Sequence, residues 1–186
     1  MTRFSVLIGI VVCLVSVLLG QNASTDKGLG NREKLLVAYE RTTCYGTCPS
    51  FLVSIYNDGR VTYEGRKFVK VSGKAEFNLN GEKFQQLQAA IDAAKFHSIR
   101  LSFVEVGCTS LMTDDYWVYI TVPGKMKVKR VTHYLGCHGG NSRFRTELRR
   151  LVAFEKAIER VLEIERWIGT EEERSKFQPR PEIVKN

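Results

Sequence analysis

The chain has 186 residues, 44% of them hydrophobic, and 28 Lys and Arg against 20 Asp and Glu give a formal charge of +8. That is enough chain for one domain with a real core. A basic balance suits nucleic acid, anionic lipid or an acidic polymer, but the cations are scattered among acids and no zinc finger, nucleotide-binding glycine loop or helix-turn-helix spacing occurs, so no nucleic-acid partner is expected.

The first segment sets the compartment. Arg3 is followed by an uncharged, Val/Leu/Ile-rich run from Phe4 to Gly20 and then by polar Gln21-Asn22-Ala23-Ser24. This is the charged, apolar and polar order of a secretory signal, so residues 1–23 are read as a signal peptide. The site after Leu18-Leu19-Gly20 is a poor cleavage sequence, and the alternative is an uncleaved N-terminal anchor, a membrane tether through residues 4–20. Cys13 follows Val12 rather than a small residue, which argues against a lipid-attachment site. The expected location is periplasmic or extracellular. Residues 24–34 are polar and contain glycine, a flexible leader.

A single α+β domain is expected over residues 35–169. Leu35–Arg41 reads as a strand running into Cys44-Tyr-Gly-Thr-Cys48-Pro49. Phe51–Tyr56 and Arg60–Tyr63 flank Asn57-Asp58-Gly59. A three-residue loop with Gly59 in the left-handed region places Ile55 opposite Val61 and Val53 opposite Tyr63, which gathers apolar residues on one face; a two-residue turn does not. Two further strand pieces are expected at Phe68–Val71 and Ala75–Leu79. Asn80 is a good N-cap for a helix whose apolar residues Phe84, Leu87, Ile91 and Ala94 recur at helical spacing.

After an irregular stretch over 99–113 comes a second hairpin, Tyr116–Val122 and Met126–Tyr134. A three-residue Pro123-Gly124-Lys125 turn predicts Val122 opposite Met126 and Ile120 opposite Val128. A second helix is expected from Ser142 to Trp167, with Leu148, Leu151, Ile158, Val161 and Leu162 inward, then a disordered polar tail over 170–186. The strand and helix order predicts an antiparallel sheet of two hairpins plus an N-terminal strand, with two helices packed on one face.

Four cysteines lie beyond the signal, and an even number in an oxidising compartment reads as a disulfide framework. In the proposed hairpin register Cys137 projects opposite Leu111, three residues from Cys108. That favours a Cys108–Cys137 link and leaves Cys44 with Cys48. The alternative is a thiol-based envelope protein that uses Cys44 and Cys48, for dithiol redox chemistry or for Cu(I) or Zn with His133 or His138 as nitrogen ligand. A Cys-x3-Cys pair followed by proline has the spacing of Sco-type copper chaperones, but those are thioredoxin-like and nothing here reads as that fold. On the main reading there is no cofactor; on the alternative it is copper or zinc.

Other polar candidates carry less. Asp114-Asp115 is a carboxylate pair suited to acid–base work or cation binding, yet adjacent acids at a strand entrance are more often a solvated turn. Trp117 and Tyr119, with Tyr116 and Tyr134, suit a ligand-binding strand face, though such residues more often pack a sheet.

Arg41-Thr-Thr-Cys-Tyr-Gly-Thr-Cys-Pro49, Tyr56-Asn-Asp-Gly59, Val61-Thr-Tyr-Glu-Gly65 and Phe68-Val resemble the opening of the bacterial domain of unknown function 6438. The likeness extends more loosely over about residues 35–169. It implies a bacterial origin and often an exported or lipid-anchored setting. It implies no activity, and no catalytic residues are carried over. Cys108 and Cys137 look like additions to the basic pattern. The resulting expectation is an exported, disulfide-stapled, non-catalytic binding or structural module for an envelope protein or ligand.

Overall fold

A computed structural model of the chain describes residues 34–101, 108–139 and 142–177. The expected signal or anchor, the leader up to residue 33 and the last nine residues of the tail lie outside the described residues. Among the described residues there are eight strands: β1 Leu35–Arg41, β2 Ser50–Tyr56, β3 Arg60–Lys67, β4 Gly73–Asn78, β5 Ser110–Leu111, β6 Trp117–Pro123, β7 Val128–Tyr134 and β8 Cys137–His138. The helices are α1 Gly81–Ala94, α2 Ser142–Leu162 and the short α3 Glu165–Ile168 and α4 Glu171–Arg174, with a 3-10 turn at Phe96–Ser98.

Six strands form one antiparallel sheet in the order β4-β3-β2-β1-β6-β7, and β5 pairs with β8 in a separate two-stranded ladder. Burial alternates along β1, β2, β3 and β6, as a sheet covered on one side requires. The covered face carries Tyr39, Phe51, Ile55, Tyr63 and Ile120, in one core with Leu87 of α1 and Leu151, Phe154 and Ile158 of α2. The architecture is α+β with the helices on one face.

The first hairpin has the predicted register. Ile55 faces Val61 and Val53 faces Tyr63. Gly59 takes φ 84°, a left-handed conformation that glycine adopts without a Cβ clash. Asn80 caps α1 as expected, its Oδ1 accepting the Lys83 N–H at 2.8 Å.

Three expectations fail. Phe68–Val71 is a turn rather than a strand: Phe68 has φ 53°, and the Val71 N–H donates to the Trp167 carbonyl at 2.9 Å instead of to a neighbouring strand. The second helix stops at Leu162, because Glu163 takes φ 49° and lets α3 swing Trp167 onto Tyr63 and Phe77 at 4.9 and 4.8 Å. The second hairpin pairs Ile120 with Val131, Val122 with Lys129 and Pro123 with Val128, three residues away from the expected register. A shift by an odd number turns β7 over. Val131, His133 and the aliphatic stem of Lys129 then face the helices, while Val128 is left exposed.

At the far end, residues 170–177 are more ordered than a solvated tail. Thr170 and Glu173 form a capping box at α4, and the Phe177 ring occupies the place a side chain at Gly169 would need.

Candidate functional site at the disulfide-closed end of the sheet

β1 ends at Arg41, and the next residues stay attached to β6. The Thr42 N–H donates to the Trp117 carbonyl at 3.0 Å, and the Trp117 N–H donates to Thr42 Oγ1 at 2.9 Å. The chain then leaves the sheet for the loop closed by Cys44–Cys48, whose Cα atoms are 5.5 Å apart. Pro49 and Ser50 are buried and return it to β2. Inside the loop the Gly46 N–H points at Cys44 Sγ at 3.2 Å, and the Tyr45 N–H donates to the Asp114 carbonyl at 3.2 Å. The loop is thus tied to its own ends and to the turn before β6. It holds the Tyr45 side chain outward, 91% exposed.

The second disulfide closes the same end. Cys108–Cys137 spans 29 residues and joins the β5–β8 ladder, where Leu111 faces Cys137. Both pairings are the expected ones, and Leu111 stands opposite Cys137 as expected even though the hairpin register behind that inference does not hold. Five residues, 112–116, face only two, 135–136, between the two ladders, and this excess offsets the three-residue shift. Met112 N–H donates to the Gly136 carbonyl at 2.8 Å and the Tyr134 hydroxyl donates to the Met112 carbonyl at 2.5 Å. A Cβ at Gly136 would lie 2.1 Å from that Met112 oxygen, so the approach needs glycine. Leu111 and Met112 remain 51% and 57% exposed. Together with Tyr45 they form an apolar rim on two disulfide-anchored loops.

Beneath the rim lies a buried polar cluster that sequence reasoning missed. The Arg41 guanidinium donates to Glu159 and, at 3.2 Å, to the Tyr39 hydroxyl, which in turn donates to Glu159 at 2.6 Å. It lies over the rings of Tyr116 and Phe51 at 4.7 and 5.4 Å. Burial disfavours the Arg41 cation, but the oxygens of Tyr39 and Glu159 outweigh it and keep the guanidinium charged. Burial likewise pushes the Tyr39 and Tyr116 phenols up, only partly opposed by Arg41. Next to it His133 Nδ1 meets Glu155 at 2.8 Å, both side chains about nine-tenths buried. Glu155 and Glu159 stand one turn apart on α2. The available signal was Glu155 itself, an acid set in the apolar stripe of Leu148, Leu151, Ile158 and Leu162.

The remaining expected site residues are dispersed. His133 is held by Glu155 on the covered face, and His138 is exposed on β8 opposite Ser110. The two acids do not act as a pair: Asp115 accepts the Tyr116 N–H at 2.9 Å, and Asp114 accepts from the Thr113 hydroxyl at 3.3 Å. Among the described residues no group of three or more His, Cys, Asp or Glu could hold a metal ion. Trp117 and Tyr119 lie on the uncovered sheet face with parallel rings 6.5 Å apart; Tyr134 packs on Trp117 at 4.4 Å and Arg130 covers Tyr119 at 4.3 Å. Tyr116 is on the covered side with Arg41.

A family model described as a domain of unknown function (DUF6438) matches residues 35–161, more than half of the chain. No curated protein matches it.

Proposed function

The chain belongs to the family of domain of unknown function 6438, and from that premise we propose that it is an exported, non-catalytic binding module that recognises an envelope partner through its disulfide-closed rim. Two disulfides suit an oxidising, non-cytosolic environment. The signal-like order of residues 1–24 supports export, and the family resemblance supports a bacterial envelope. Among the described residues no helix is long and apolar enough to cross a membrane.

The observation that carries the reading is Tyr45. A large aromatic side chain 91% in solvent on a five-residue covalent ring is a contact carried on a preorganised backbone: the loop itself has little backbone freedom left to lose on binding. A photo-crosslinking residue at position 45, expressed in the native host, tests this. The expected result is one discrete adduct that disappears when Cys44→Ser and Cys48→Ser open the loop. A folded, exported protein that gives no adduct from position 45 would remove the rim from the reading.

One observation favours the second reading, a thiol-based envelope protein using Cys44 and Cys48. The Gly46 N–H aimed at Cys44 Sγ would also stabilise a thiolate there. Peptide mapping of protein from native cells under non-reducing conditions separates the two. A stoichiometric Cys44–Cys48 link supports the binding module; free thiols carrying copper or zinc favour the second reading.

A further inference from the structure

The end of the sheet opposite the disulfides has a different chemistry. The turn between β6 and β7 closes through the Gly124 N–H and the Lys127 carbonyl at 3.0 Å. At its tip Met126 is 98% exposed, and Val128 beside it 63%. Lys125 and Lys127 flank them, both exposed. The tip rests on the turn after α1. A Cβ at Gly124 would lie 3.0 Å from the His97 ring, and Lys129 Nζ donates to the carbonyls of His97 and Ile99. That turn adds Lys95 and Arg100, both exposed, and Arg150 of α2 donates to Ser98 Oγ at 3.2 Å. Burial, then the nearby charge of Lys127, lowers the affinity of Lys129 for its proton; Glu147 opposes this and Arg100 adds a smaller push in the same direction as Lys127. Among the described residues the acids here are Asp92, exposed near Lys95, and Glu147, buried and engaged with the Arg100 N–H at 2.7 Å.

We propose that this tip is a docking surface for an anionic lipid bilayer, with Met126 and Val128 entering the headgroup region and the surrounding lysines and arginines facing lipid phosphates. Charge complementarity alone would also suit a nucleic acid or an acidic polymer. Exposed apolar side chains at the apex of a cationic patch distinguish the bilayer, because only there does their insertion release free energy as the cations meet phosphate. The direction of the chain agrees. β1 pairs antiparallel with β6, Ala38 facing Thr121, so Lys34 lies at this same end of the sheet. The chain therefore enters β1 on the side that would face the membrane, and the Tyr45 rim lies at the other end of the sheet.

The test is co-sedimentation of the full chain with vesicles of phosphatidylglycerol and phosphatidylcholine in equal parts, against phosphatidylcholine alone. Preferential, salt-sensitive binding to the anionic vesicles is expected. Lys125→Gln with Lys127→Gln lowers the partition coefficient roughly thirtyfold, about fivefold for each charge removed near the surface. Met126→Ser lowers it on the order of tenfold. Removing the same charge elsewhere, by Lys67→Gln with Lys74→Gln on the β3–β4 hairpin, has little effect. Each variant melts with the wild type, since all these side chains are exposed. Four results overturn the proposal: equal binding to neutral vesicles; tip variants that bind like the wild type, which would leave residues 4–20 as the only tether; an equal loss in the β3–β4 control, which would reduce the effect to net charge; or displacement by millimolar glycerol phosphate, which would make the patch a small-anion site.

Discussion

Arg41 keeps its charge beneath a helix because its guanidinium meets electron-rich partners, the Tyr39 hydroxyl, the Glu159 carboxylate and the rings of Tyr116 and Phe51, which outweigh a buried Nε that has no hydrogen-bond partner. Removing the cation leaves Glu159 without its counter-charge, and breaking a buried pair from one side is the expensive operation. Arg41→Met is therefore expected to cost about 3 kcal/mol, the low end for such pairs since Glu159 retains some solvent contact. Arg41→Met with Glu159→Leu should recover most of it. Urea midpoints of the two single variants and the double variant check this, and a double variant no more stable than Arg41→Met would refute the account. A smaller structure-specific case is Gly136→Ala, where the new methyl must displace the Met112 carbonyl. A loss of about 2 kcal/mol is expected, read from the same denaturation curves. At this scale the cysteines were legible because sulfur chemistry and spacing restrict the pairings to three. The Arg41 cluster was not. Nothing in the local sequence of β1 separates an arginine that turns inward from one that ends a strand in water, and only the acid at 155, inside the apolar stripe of α2, hinted that the helix covers charge.

Elements behave as their caps and turns dictate. Asn80→Ala removes the acceptor for the Lys83 N–H and should cost about 1 kcal/mol, whereas Asn80→Asp keeps it; thermal melts of the pair measure the cap alone. The junction of α1 with α2 is held by Glu163, whose carboxylate accepts from Lys83 at 2.7 Å and from Arg166. These bonds, Lys83 first, hold its carboxyl down to about 2. A depressed acid stabilises the fold above its unfolded value, and that contribution is lost as pH falls through the folded one. The melting-temperature gap between wild type and Glu163→Gln should thus be constant from neutral pH down to about 5, then narrow and close near pH 2. A gap independent of pH over that range would show that the carboxylate charge is not what holds the junction. The two hairpins show what pattern can and cannot fix. Asn57-Asp-Gly59 has one loop length that sorts apolar from polar, and β3 obeys it. Around Pro123-Gly124 two registers each sort some apolar residues. The choice between Val128 inward and Val131 inward falls to Glu155 and the carbonyls of residues 97 and 99, which receive His133 and Lys129. Those partners are 22 and about 30 residues away, beyond what a strand pattern can report.

Across the whole molecule the two disulfides sit at one end and the cationic, Met126-tipped hairpin at the other, so the sheet separates a stapled rim from a basic apex. The staples are not equivalent. A cross-link stabilises mainly by restricting the unfolded chain, and the restriction grows with the loop enclosed. Cys108–Cys137, with 29 residues of separation, is worth roughly 3–4 kcal/mol on that argument, and Cys44–Cys48, with four, about 2. Cys108→Ala with Cys137→Ala should therefore destabilise the domain by more than Cys44→Ala with Cys48→Ala. The six-stranded sheet does not pass through either link, so both variants should keep their far-ultraviolet circular dichroism. They should differ in what else they lose. Without Cys44–Cys48 the core packing is intact but the loop that carries Tyr45 is no longer closed, so the position-45 crosslink disappears at the smaller of the two stability costs. Without Cys108–Cys137 the β5–β8 ladder loosens and the melting temperature falls, while the Tyr45 loop stays closed and tied to Asp114. The reverse ordering, a larger stability loss at 44–48, would mean that the short ring organises β1 and β2 in the folded state rather than merely closing a loop. It would also turn the most exposed segment of the protein from a presented contact into part of its framework.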